Sequence, residues 1–304
     1  MRMLFRPGLF VGLVTLLCTY SGTTWAALNV FACEPEWAAL VEELGGDRLE
    51  IYSATTAQQD PHQIQARPSL IAKARKADLL VCTGAELEIG WLPLLLRKAG
   101  NARIQVGQAG HFLAAEFTDM LEVPDKLDRS LGDIHASGNP HVHTDPRNIL
   151  RVADPLTQRL KAVDPDHADD YQQRYQAFKA KWQDAIDDWS QRAAVVEGKN
   201  IVVHHDYWSY FTHWLGLNKV ATLEPVVGVS PSTRHLAQVK QLLEKQPAVM
   251  IVDTSYMNDR PVMWLSEQTG LPVVTLPATV DYHGGETLLQ WFERLVVRML
   301  EPLK

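Results

Sequence analysis

The chain has 304 residues, 46% of them hydrophobic and 21% charged, with 29 basic residues, 36 acidic residues and a net charge of −7. That composition excludes a disordered tail or a low-complexity array and leaves one large or two ordinary globular domains. The acidic balance disfavours nucleic acid and anionic membranes as partners and mildly favours a cationic ligand.

Residues 1–26 read as an export leader. Arg2 and Arg6 precede an apolar run over 9–17, and Thr24 and Ala26 are the small residues of a cleavage site after Ala26. The apolar run is too short for a comfortable membrane span. Leu17 is bulky where a lipid-attachment signal wants a small residue, so lipidation at Cys18 is not expected. Removing the leader takes away two arginines and no acid, which moves the net charge from −7 to −9.

Past the leader, strand and helix patterns alternate. Strands are expected over 28–33, 49–53, 78–83 and 103–106, with helices over 34–44, 69–76 and 87–98. Such alternation implies a parallel sheet with right-handed crossovers. Residues 108–139 lack periodicity and read as a long loop. A helix follows over 146–163. Then comes a long amphipathic helix from Pro165, capped by Asp164, to about residue 195, carrying Tyr171, Tyr175, Phe178, Trp182, Ile186 and Trp189 on one stripe. At ~1.5 Å per residue it is long enough to join two lobes. Alternation restarts with strands over 200–203, 219–223, 249–253 and 272–276, and helices over 207–215, 233–245, 260–269 and 286–300. The expected fold class is therefore α/β: two similar lobes with parallel sheets, 27–164 and 196–304, joined by a linking helix over 165–195, with a ligand cleft between them.

Two cysteines follow the leader, Cys33 and Cys82, each at the end of an expected strand. In an exported protein they form either a disulfide or two buried thiols.

Histidines mark the ends of several strands. His62 stands in Asp60-Pro61-His62, His141 in Asn139-Pro140-His141-Val142-His143, and His205 in Val203-His204-His205-Asp206. Asp281 follows the last strand. Imidazoles plus one carboxylate suit a borderline-soft divalent cation such as zinc. His141 competes with His135 and His143. His204 competes with His205, because neighbours on a strand face opposite ways and only one enters the cleft. Asp145 and Asp206 either orient the neighbouring imidazoles or cap the helices that follow, and capping is the preferred reading. No G-x-S-x-G elbow, H-E-x-x-H helix or P-loop is present, and no enzymatic activity is expected.

These residues carry a resemblance. Asp60-Pro61-His62 is followed by Arg67-Pro68-Ser69, and Pro140-His141 by Asp145-Pro146. His205-Asp206-Tyr207-Trp208-Ser209-Tyr210-Phe211 is followed by Leu215-Gly216-Leu217, and Asp281 comes last. With them the chain resembles the zinc- and manganese-binding solute-binding proteins of ABC transporters, the metal-ion family often called cluster A-I. The resemblance implies two lobes on one rigid helix, a periplasmic location, and delivery of metal to an ABC permease by a monomer, with a zinc-loading chaperone as a further candidate partner. It implies His62, His141, His205 and Asp281 as ligands, with His283 and water as rivals for the fourth place. Three imidazoles favour Zn2+ over Mn2+. The chain departs from the family in carrying His143 where Trp is usual, and in a loop over 110–138 with only His111 and His135, the latter a candidate for transient metal capture. The alternatives are a manganese-type member, an exported zinc hydrolase with Asp281 or Glu224 as general base, and a metal-independent binder of an organic ligand.

Overall fold

The structure, a computed structural model, describes residues 27–125, 135–226 and 228–303. The expected leader and Cys18 lie outside the described residues.

The first lobe carries strands β1 (Leu28–Ala32), β2 (Leu49–Ser53), β3 (Leu79–Cys82) and β4 (His111–Leu113), and helices α1 (Pro35–Gly45), α2 (Pro68–Lys76) and α3 (Leu92–Ala99). Its sheet is parallel in the order β2-β1-β3-β4, with Phe31 opposite Tyr52 and Val81 opposite Phe112. Helices α4 (Pro146–Val163) and α5 (Ala168–Ala193) follow. The second lobe carries β5 (Asn200–Val203), β6 (Asn218–Thr222), β7 (Met250–Thr254) and β8 (Val273–Leu276), in the parallel order β6-β5-β7-β8. Its helices are α6 (Ser209–Trp214), α7 (Thr233–Lys245), α8 (Arg260–Thr269) and α9 (Leu288–Leu300). The strand order is the same in both lobes, second-first-third-fourth, so each presents the carboxyl ends of its strands in the same way. Among the described residues, no helix is long and apolar enough to cross a membrane.

Helix α5 ties the lobes together. Its 26 residues span ~39 Å. Tyr171, Tyr175, Phe178, Trp182, Ile186, Trp189 and Ala193 recur at three- and four-residue spacing and are all buried. Trp182 donates to the Pro146 carbonyl at 2.8 Å on one side and stacks edge-on with Phe292 of α9 at 5.4 Å on the other. Near the far end, Trp189 and Arg192 both donate to the Glu293 carboxylate. One continuous apolar core runs from Trp37 and Leu40 of α1 through α5 to Trp291 and Phe292 of α9. A shared core of interlocked indoles resists hinge motion, because sliding one ring past another opens voids.

Several expected elements are placed differently. No strand forms over 103–106. Asn101 accepts from the Arg103 N–H and donates to the Ala74 and Ala77 carbonyls, which holds Ala102–Ile104 in a 3-10 turn. The edge strand is instead His111–Leu113, inside the expected long loop, where Leu80 pairs with His111. Helix α3 begins at Leu92 rather than 87, because Trp91 just before it takes φ −138° and ψ −35°, outside the helical range, and Ala85 and Glu86 open the preceding turn with left-handed angles (φ 49° and 67°). Asp164 does not cap the long helix with its side chain; its carboxylate accepts from the Tyr171 hydroxyl at 2.5 Å and pairs with His167 at 2.8 Å. Cys33 and Cys82, at the ends of neighbouring strands β1 and β3, are joined by a disulfide across a Cα separation of 4.8 Å.

Candidate metal site

Three of the four expected ligands come near one another, His62 and His205 after β2 and β5, and His141 before α4. His62 leaves β2 through a polar loop and sits in a 3-10 turn, Pro61–Gln63, whose first N–H groups need an acceptor. Asp60 supplies it, accepting the His62 backbone N–H at 2.9 Å, and the same oxygen meets His62 Nδ1 at 2.8 Å. His141 precedes the turn Val142–Thr144 that leads into α4. Its N–H donates to Asn139 Oδ1 at 3.0 Å and its carbonyl accepts from Thr144 Oγ1 at 2.9 Å. His205 follows β5 directly, and its Nδ1 lies 2.7 Å from Glu224 Oε2, at the end of the neighbouring strand β6. Glu224 also accepts from the Gly228 N–H at 3.0 Å.

The rings cluster around His141. Its centroid is 5.5 Å from that of His62 and 5.8 Å from that of His205. For two imidazoles on one tetrahedral zinc, bonds of ~2.0–2.1 Å put the ligand nitrogens ~3.3 Å apart and the ring centroids ~5.2 Å apart. The observed spacings, 5.5 and 5.8 Å, are wider than that figure, and the nitrogens of His62, His141 and His205 do not all lie within 4.8 Å of one another in the metal-free chain. His62 and His205 each commit Nδ1 to a carboxylate, which leaves Nε2 as the coordinating atom and fixes the ring plane.

The electrostatics suit a cation. His141 is buried, and its Nδ1 has no hydrogen-bond partner among the described residues. Burial first, then the neighbouring His62, His205, His143 and His135 rings, pull its pKa well below the ordinary histidine value. The neutral imidazole is the form that binds metal. Burial pushes the Asp60 carboxyl up, but its hydrogen bonds from His62 and the charges of His62 and His205 outweigh burial, so its pKa is lowered. Tyr207 stacks on His141 at 4.0 Å and closes one face of the site.

The remaining expected residues lie elsewhere or serve other ends. His204 turns away from the cluster and pairs with Asp253 of β7 at 2.7 Å, both nearly fully buried. His143 faces Trp291, donates to or accepts from the Tyr207 hydroxyl at 3.1 Å, and lies 3.2 Å from Glu36, close enough for charge pairing but not aligned for a hydrogen bond. Asp145 caps α4 and binds Arg147. Asp206 does not cap; it pairs with Lys219 at 2.6 Å. Asp281 is exposed, and its carboxylate folds back to accept the Gly284 N–H at 3.2 Å. That bond caps the 3-10 turn Tyr282–Gly284, which packs against α1. Among the described residues, no hydrogen bond or ion pair joins Asp281 to His62, His141 or His205. Among the described residues, one set of three metal-type side chains has ligand atoms all within 4.8 Å of one another, Cys33, Cys82 and Glu88; its cysteines are joined in the disulfide, and Glu88 accepts from the Thr83 and Gly84 N–H groups.

Two supporting residues were not assigned these roles from sequence. Asp60 stands two residues before His62 in an Asx-Pro turn, a spacing that lets one carboxylate reach both the backbone and the ring. Glu224 ends the strand beside the one that delivers His205, and its carboxylate is engaged in orienting that ring rather than set apart as a base.

The family pattern for the periplasmic zinc-uptake complex component A (ZnuA) matches residues 30–301. Among named relatives, the manganese ABC transporter substrate-binding lipoprotein PsaA of Streptococcus mitis is 23% identical over 272 residues, covering 87% of this chain and 85% of its own. The iron ABC transporter substrate-binding lipoprotein MtsA of Streptococcus pyogenes serotype M1 is 23% identical over 285 residues, covering 90% and 87%. Among solved structures, a crystal structure of ZnuA superposes with a TM-score of 0.74 at 21% identity, over 91% of this chain and 99% of that one. The Cd-bound periplasmic metal binding protein of Candidatus Liberibacter asiaticus superposes with a TM-score of 0.75 at 17% identity, over 91% and 100%. These structures share the two-lobed fold. The family match spans nearly the whole chain, and the chain belongs to the ZnuA family.

Proposed function

We propose that this member of the zinc-uptake complex component A family is an exported, extracytoplasmic solute-binding protein. It holds one divalent metal ion, zinc by preference, and delivers it to the permease of an ABC importer. The lobes 27–164 and 196–304, on either side of the linker 165–195, enclose the ion. His62 and His141 bind it from the first lobe and His205 from the second.

The observation that carries this reading is the pairing of His62 with Asp60 and of His205 with Glu224. Each carboxylate turns one imidazole so that its Nε2 is the atom left to coordinate, beside a His141 ring that burial keeps neutral. The two anions behind the rings offset the charge of an incoming cation. Relatives are named for manganese and iron, but a nitrogen-rich shell suits zinc, and harder oxygen ligands suit manganese.

The test is a competition titration of purified protein with zinc and manganese against a chromophoric chelator, repeated across pH. One zinc per chain is expected, bound in preference to manganese. Protons compete for the imidazole lone pairs, so affinity falls as pH drops through the histidine range near ~6.5. Manganese preference, or zinc affinity that stays flat across that range, contradicts imidazole ligation.

A further inference from the structure

Cys33, Cys82 and Glu88 bring their ligand atoms within 4.8 Å of one another at the carboxyl ends of β1 and β3, a set that includes none of the histidines. Both cysteines are fully buried, and Glu88 is 2% exposed. Glu88 Oε1 accepts the Thr83 N–H at 2.7 Å and Oε2 the Gly84 N–H at 3.1 Å, which fixes the carboxylate against the end of the strand that carries Cys82. Glu34, also 2% exposed, accepts the same Thr83 N–H at 3.2 Å. Its Oε1 is buried with no N–H or hydroxyl donor in reach among the described residues.

These acids meet no positive charge. Among the described residues neither Glu34 nor Glu88 pairs with a basic side chain, and every N–H or hydroxyl they accept from belongs to Thr83 or Gly84. Burial above all pushes both carboxyls up, Glu88 to about 7, and Glu34, with the Glu88 charge beside it, well above the ordinary value. Two buried acids that keep a proton for want of a counter-charge make a pocket suited to a cation.

We propose that Cys33, Cys82 and Glu88 form a metal site of their own, open in the chain before its disulfide is made and closed when it is. The ligand is a borderline-soft divalent cation such as zinc, which two thiolates select over manganese.

Cysteine enters every chain as a thiol, and the strand ladder holds these two side by side without the S–S bond. Strands β1 and β3 are paired, and the Cys33 N–H donates to the Val81 carbonyl at 2.8 Å. The Cα separation of 4.8 Å lets the sulfurs take the ~3.8 Å spacing that two ~2.3 Å bonds to one tetrahedral zinc require. Glu88 gives a third bond, and the fourth place stays open. On binding, the metal displaces one proton from each thiol and one from Glu88. Closing the bridge takes two electrons from the sulfurs. A disulfide oxidant accepts them with two solvent protons and becomes a dithiol, Glu88 regains its proton, and the metal leaves as the dication. Metal and disulfide therefore exclude one another.

The experiment compares the mature chain with its disulfide intact and the same chain reduced by a dithiol in denaturant, then refolded free of air and dithiol. Zinc stoichiometry is read by chelator competition, and sulfur ligation by the near-ultraviolet thiolate-to-metal absorption of bound cobalt. The reduced chain is expected to bind one ion more than the oxidised chain and to show a thiolate band that the oxidised chain lacks. In reduced Glu88→Gln that extra ion is expected to bind at least ~10-fold more weakly, since loss of a mere supporting partner already costs about that much. Cys33→Ser with Cys82→Ser should lack it. Equal stoichiometry in the two forms, an extra ion without the thiolate band, or an extra ion unweakened in Glu88→Gln overturns the assignment. A reduced chain that regains its near-ultraviolet dichroism only with zinc, and shows the band with cobalt, supports the site; one that stays unfolded at saturating zinc overturns it. The ion bound by the oxidised chain reports on the histidine cluster, so the two readings stand or fall separately.

Discussion

His205→Ala is expected to weaken zinc binding by at least about 100-fold. Structural zinc sites bind with apparent free energies of roughly 10–16 kcal/mol, which on that scale makes one ligand of four worth ~3 kcal/mol, and each ~1.4 kcal/mol is a factor of ten. His205 is also the one imidazole of the cluster that comes from the second lobe, so its loss removes the bond across the cleft. Two controls sharpen the result. Glu224→Gln keeps the size of the side chain but removes the charge behind His205 Nδ1, and a loss of ~10- to 100-fold is expected. His204→Ala leaves Asp253 buried without its 2.7 Å partner, so it lowers stability while zinc affinity, measured well below the melting point, stays near wild type. Isothermal competition titrations of the three variants check this. Equal losses of affinity at His204 and His205 would mean that the strand delivers the wrong histidine to the cleft.

Removing the disulfide is expected to cost the protein ~4 kcal/mol. Cys33 and Cys82 are 49 residues apart, and closing a loop of that size lowers the entropy of the unfolded chain by about this much. In a domain of this size each kcal/mol corresponds to ~2–4 °C, so Cys33→Ser with Cys82→Ser should melt ~10 °C lower. The bridge ties the carboxyl ends of β1 and β3, two strands that are already hydrogen-bonded neighbours. The effect should therefore appear in stability and leave zinc affinity at low temperature nearly untouched. Calorimetry of the metal-free proteins decides it, and an unchanged melting temperature would show that the denatured chain keeps its ends together without the bond.

Much of the fold was legible because the pattern is repeated twice. Eight apolar runs spaced by amphipathic helices imply two parallel sheets, and the aromatic stripe from Tyr171 to Trp189 marks a helix that must bury one face along its whole length. The edge strand His111–Leu113 was not legible, since three residues carry too little alternation to register, while the apolar residues over 103–106 carried more. At the site, His62 and His205 could be read because each follows a strand whose end opens into the cleft. Strand alternation showed that only one of His204 and His205 can face the cleft, and the family resemblance pointed to His205. The choice among His135, His141 and His143 followed from no such alternation, because the turn Val142–Thr144 sends neighbouring side chains in directions that no simple period describes. Asp281 stands apart from the histidines in the metal-free chain for a local reason. Gly284 has no side chain to block the approach, and a Cβ there would sit 2.4 Å from an Asp281 oxygen, so the carboxylate is free to fold onto its own turn.

The most direct test of the proposed metal site is an anomalous difference map at the zinc edge, from crystals of zinc-loaded protein. One strong peak is expected between the lobes, ~2.0–2.1 Å from imidazole nitrogens of His62, His141 and His205. A peak elsewhere on the chain, or none at full zinc occupancy in solution, would contradict it.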